Sequence, residues 1–115
     1  MAETIFTKII RKEIPAQIVY ETDSILAFKD INPKAPYHIL IIPKIEIPDL
    51  RSIDGVIHSE LLGKLIDAAN KVAEILGVKE KGYRIVINCG EEGGQEVYHL
   101  HLHLLAGKKL GWNPA

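Results

Sequence analysis

Nine residues near the C-terminal end, "VYHLHLHLL" from Val97 to Leu105, constrain this chain more than any other feature. Imidazole and leucine alternate there with a period of two, which is the period of a β-strand. The pattern predicts a strand over 97–106. His99, His101 and His103 would share one face with Val97, and Tyr98, Leu100, Leu102 and Leu104 would share the other. Such a strand has a dry side that something must cover and a polar side set apart for chemistry. Along one face, successive histidines would stand roughly 6–7 Å apart, near enough for two rings to reach one small anion or metal ion.

The dry side needs a partner, and the sequence supplies one. "VIHSELLGKLIDAANKVAEIL", residues 56–76, has the period of an amphipathic helix, with Ile57, Leu61, Leu65, Ala69, Val72, Ala73 and Leu76 in one stripe, widened by Leu62 and Ile66. Ser52 or Asp54 is placed to cap its start and Gly77 to cap its end. Upstream, "TIFTKIIRKEIP" reads as a short helix that Pro15 closes. "QIVYE" and "SILAFKD" read as strands about a Thr22–Asp23 turn. The apolar run "YHILIIP" reads as a central strand covered on both faces. "YRIVIN" is a further strand, and "CGEEGGQE" is a glycine-rich turn into the histidines. Tight connections between successive strands favour an antiparallel sheet, and the expected class is α+β.

At 115 residues and 47% hydrophobic, the chain suits one compact domain. A net charge of -1 argues against a nucleic-acid surface, which shows as a basic stripe. The lone cysteine, Cys89, allows no internal disulfide and fits a reducing compartment. No signal peptide is visible, and no apolar stretch is long enough to span a bilayer. A soluble cytoplasmic protein that binds neither nucleic acid nor membrane is the expectation.

Three readings of the histidine face compete. A solvated strand face more often uses Thr, Lys or Glu than repeated histidine. A zinc site has workable geometry in His-x-His, but no carboxylate or thiolate is obviously placed to complete the set. Nucleophilic and acid–base chemistry on phosphorus uses imidazole at neutral pH. That third reading gains from "GEEGGQ" just upstream, whose glycines let backbone N–H groups approach an anion. His38, in the apolar run, is a core histidine or a partner that orients one of the three. His58 reads as exposed and uninvolved.

His99-Leu100-His101-Leu102-His103-Leu104-Leu105 satisfies every position of the histidine-triad motif, His-φ-His-φ-His-φ-φ. Together with "TIFTKIIRKEIPA", "AFKDINPKAPYHILIIPK", "GYRIVIN" and "GGQEVYHLHLHLLAGKKLGW", nearly the whole chain resembles the histidine-triad (HIT) superfamily. The resemblance is to its Hint branch, the histidine-triad nucleotide-binding proteins of bacterial type. It implies a HIT-like fold over residues 1–115, with 106–115 as a C-terminal tail. The fold would be a five-stranded antiparallel sheet with one long and one short helix, the sheet continuing across a homodimer. It implies hydrolysis of purine nucleoside phosphoramidates through a nucleotidyl-histidine intermediate, with no cofactor and no metal. The alternative is a non-catalytic nucleotide-binding regulatory module.

By the same resemblance His101 is the nucleophile, and His103 contacts the phosphate and leaving group. His99 and His38 form the relay that orients and polarises the nucleophile. Asp30 binds the ribose hydroxyls, with Ile31 beside it. Ile5, Phe6, Ile9, Ile14 and Phe28 surround the base. Asn88, Gly94 and Gln95, with Glu96 and Val97, lie on the phosphate side. Trp112 reaches the partner protomer's site. Some Hint proteins carry serine where this chain has Glu96; an ionised glutamate accepts hydrogen bonds and cannot donate one to phosphate.

Overall fold

The computed structural model describes residues 3–112. Helix α1 (Ile5–Ile10) is followed by strands β1 (Ile18–Glu21), β2 (Ile25–Lys29) and β3 (Tyr37–Pro43). A short 3-10 turn (Leu50–Ser52) leads to helix α2 (Ser59–Leu76), then to β4 (Arg84–Val86) and β5 (Leu102–Ala106). The five strands form one sheet in the order β1-β2-β3-β5-β4. Every neighbouring pair is antiparallel. Among the described residues, no helix is long and apolar enough to cross a membrane.

The sheet is packed on both faces, as the unbroken apolar run of β3 requires. On one face Ile25, Ala27, Ile39, Ile41, Leu102 and Leu104 meet Leu65, Ala69, Val72 and Ala73 of α2. On the other face Leu26, Phe28, Leu40 and Ile42 meet Phe6 and Ile9 of α1. Helix α1 is fixed by a capping box, in which the Thr4 hydroxyl accepts from the amides of Phe6 and Thr7 while Thr7 accepts from the Thr4 amide. Helix α2 ends at Gly77, whose φ of +74° suits a residue without Cβ.

The structure differs from the sequence reading at element ends. Helix α2 starts at Ser59 rather than Val56, because the Asp54 carboxylate accepts from the amides of Val56 and Ile57 and closes a separate turn there. His58 stands at the helix N-cap with no side-chain cap bond. Ile57 therefore lies outside the buried stripe, at 78% exposure, and Ile66, within the helix, is also outside it at 53%. The strand predicted over Tyr83–Asn88 is confined to Arg84–Val86.

The predicted strand 97–106 is likewise shortened to Leu102–Ala106. Its first half, residues 97–101, runs irregularly along the segment 43–48 together with the two residues before it. Three bonds hold it there: His99 Nε2 to the Pro43 carbonyl (2.7 Å), the Leu100 amide to the Ile47 carbonyl (2.6 Å) and Gln95 Nε2 to the Pro48 carbonyl (2.8 Å). Ala106, expected at the head of the tail, is the buried last residue of β5, and the chain leaves the sheet at Gly107.

Candidate active site

The histidines gather on the sheet face that carries α1. His38 is the second residue of β3 and His103 lies on β5, where its Cα pairs with Leu40. Two residues earlier is His101, and its ring packs edge-on against Phe6 at 5.0 Å between centroids and against His103 at 4.9 Å. His99 is buried at 1% exposure behind them.

Hydrogen-bond partners decide which ring nitrogen carries each proton. A carbonyl only accepts, so His101 Nδ1, 2.7 Å from the His99 carbonyl oxygen, holds the proton. The other nitrogen, Nε2, is then left with a free lone pair. By the same logic His99 donates from Nε2 to Pro43. His38 Nδ1 accepts from the Lys34 amide at 3.1 Å, which places its proton on Nε2. That N–H points to His103 Nδ1 at 2.8 Å, with the Asp30 carboxylate 3.5 Å away. His103 Nδ1 is therefore an acceptor, and Nε2 is its donor.

Burial, first of all, lowers the pKa of all four imidazoles. At His103 burial and the neighbouring His101 and His38 push it down to about 4. At neutral pH the site thus holds neutral rings: one with a lone pair at His101, one with an N–H at His103.

The loop "DINPKAP" builds the adjoining carboxylate. Asp30 Oδ1 accepts from the Asn32 amide at 2.8 Å, and the Asp30 amide donates to the His38 carbonyl at 3.0 Å. Oδ2 is left facing His38 Nε2. In the glycine turn before the triad, Gly90 and Gly94 have φ of +74° and +80°. A Cβ on Gly93 would stand 2.3 Å from the Cys89 carbonyl oxygen. Asn88 Nδ2 donates to the Gly93 carbonyl at 2.8 Å and ties the turn across its base.

The HIT-domain family model matches residues 11–110. The chain belongs to the HIT-domain family. It is 54% identical to the purine nucleoside phosphoramidase of Escherichia coli K12 over 109 residues, 95% of this chain and 91% of that one. It is 52% identical over 113 residues to the 14 kDa zinc-binding protein of Zea mays, covering 96% and 87%. Among solved structures, a HIT family hydrolase from Legionella pneumophila superposes with a TM-score of 0.94 at 48% identity, covering 98% of this chain and all of the other.

The maize relative's name raises the question of a metal in this HIT domain. Ligand atoms of Asp30, His38 and His103 all lie within 4.8 Å of one another. The tautomers speak against a metal there. His38 Nδ1 is taken by the Lys34 amide and Nε2 carries the proton, so neither nitrogen offers a free lone pair. The donor set of Asp30, His38 and His103 does not fit a metal ion.

The other predicted residues divide into groups. Phe6, Ile9 and Phe28 are buried in the α1-side cluster, Ile14 packs at its margin, Ile5 is half exposed and Ile31 is 88% exposed. The Gln95 side chain is spent inside the protein, on Gly90, Pro48 and Val97. The amides of Gly94 and Gln95 close the turn onto Glu91 and Gly90. Among the described residues, the amides of Glu96 and Val97 have no protein acceptor. The relay also takes a different form from the one the resemblance implies. The His99 backbone carbonyl, rather than its ring, orients His101, and His38 bonds to His103.

Sequence reasoning missed the Lys34 amide and the carbonyls of Pro43, Ile47 and Pro48. Backbone groups leave no signature in residue type.

Proposed function

We propose that the protein hydrolyses purine nucleoside phosphoramidates by double displacement at His101. The observation that carries this is the His99 carbonyl on His101 Nδ1, which leaves Nε2 as a lone pair beside a neutral N–H donor at His103. In the first half, Nε2 attacks the α-phosphorus and the P–N bond breaks. The nitrogen takes up a proton from solvent and departs as the amine. Positive charge that develops on the His101 ring is met by the His99 carbonyl at Nδ1. His103 Nε2–H donates to the phosphoryl group, and the free amides of Glu96 and Val97 meet its other oxygens. In the second half, water attacks phosphorus, gives up a proton to solvent, and the P–Nε2 bond breaks to free neutral His101. Asp30 Oδ2 accepts from the ribose hydroxyls, and the apolar group around Phe6, Ile9 and Phe28, with Ile5, Ile14 and Ile31, backs the base.

The working unit in this reading is residues 1–115 as a homodimer joined edge to edge in the cytoplasm. Among the described residues strand β4 is an outer strand, paired with β5 alone, and needs covering. Arg84 on that strand holds the tail by donating to the Gly111 carbonyl at 2.6 Å. Trp112 is thereby carried to the free edge, 91% exposed, where a second protomer would meet it.

The test is amine release from an adenosine phosphoramidate before and after dialysis against EDTA. Equal release in both is expected. Nucleotide binding without any release would leave only a binding module. Loss of release on chelation, restored by zinc, would reinstate a metal.

A further inference from the structure

His99 and His101 sit at the end of a segment that the sheet does not hold, since β5 begins only at Leu102 and takes in His103 alone of the triad. Something else must set where the amides of residues 96 and 97 lie relative to the imidazoles. The Gln95 side chain is placed to do so. It is 7% exposed. Its Oε1 accepts from the Gly90 amide at 2.9 Å, and its Nε2 donates to the Pro48 carbonyl at 2.8 Å and the Val97 carbonyl at 3.0 Å. The Gln95 amide returns a bond to the Gly90 carbonyl at 3.0 Å. Both side-chain hydrogens are used, so the group has no donor left for an anion.

We infer that Gln95 is a positioning residue that clamps the entry of the glycine turn, the 43–48 segment and the Val97 peptide together, aiming the Glu96 and Val97 amides at the phosphoryl group. Three pieces of backbone meet on one primary amide, and no other uncharged side chain that can both donate and accept spans that distance. Asparagine is one methylene short. Glutamate has the length, but when ionised it would set a carboxylate against two carbonyls and lose both donors. Methionine has nearly the same length and neither donors nor a strong acceptor. The amides so held act on charge that grows in the transition state, so loosening them should fall on kcat before KM.

The kinetic arm of the test rests on the phosphoramidase reading, and a second arm does not. In the first, Gln95→Met and Gln95→Glu are compared with the wild type on an adenosine phosphoramidate. A fall in kcat of about tenfold or more, with KM changed by less than about threefold, is expected for both. A raised KM with unchanged kcat would mark Gln95 as a direct ligand and overturn the inference.

In the second arm, AMP is titrated into the wild-type protein and followed by amide NMR. The backbone signals of Glu96 and Val97 should move, while the Gln95 side-chain NH2 pair stays in place and exchanges slowly with solvent. Movement of that NH2 pair together with fast exchange would overturn the inference. This arm reads the same whether or not the wild type turns over, and it needs no variant to fold.

Discussion

Four imidazoles enclosed by apolar side chains behave unlike imidazoles in water. Free histidine titrates near 6.5, but burial lowers every one of the four here, and His103 falls to about 4. His101 must be neutral to attack, so activity is lost as pH falls. The kcat/KM of the wild type should stay level from about pH 8 to the ordinary imidazole value of roughly 6.5 and decline only below it. An acid limb centred at about 6.5 would contradict the burial account. Stability follows the same sign. The unfolded imidazoles take protons near 6.5, and the folded ones resist, so the contribution present above that value is lost as pH falls toward the folded His103 value of about 4. The spacing of the histidines was legible in the sequence because side-chain identity carries it. Their tautomers were not, because the Lys34 amide and the His99 carbonyl that set them are backbone groups.

At the scale of elements, the glycine turn is the part with least room to vary. A methyl group on Gly93 meets the Cys89 carbonyl oxygen, and that peptide has no flexible side chain to swing aside. Gly93→Ala should therefore cost about 1–3 kcal/mol in urea unfolding and lower kcat as well. A variant as stable and active as the wild type would show that the turn has slack. Alternation in β5 and the 3.6 period of α2 could be read directly, since both follow from which faces are buried. The length of the last strand could not. Residues 95–101 keep the strand alternation, yet they bond to Pro43, Ile47 and Pro48 rather than to a neighbouring ladder. The start of α2 was misread because Asp54 caps a turn of its own just before it.

At the scale of the molecule, the outer strand β4 is the edge on which the proposed dimer rests, and the tail is tied beside it through Arg84 and Gly111. Truncation from Leu110 onward removes no residue of the sheet or its core. Sedimentation should therefore find dimers for both the full chain and the truncated one at micromolar concentration, while rates across a series of amine leaving groups change. A monomeric full chain would contradict the dimer, and identical rates throughout the series would contradict the tail's role. The claim on which the rest depends is covalent. Wild-type protein quenched during turnover of an adenosine phosphoramidate, then digested and read by mass spectrometry, should carry one adenylyl group, on His101. His101→Asn should carry none, with turnover lower by several orders of magnitude and AMP still bound. An adenylyl group on any other residue, or full turnover by His101→Asn, would contradict the account.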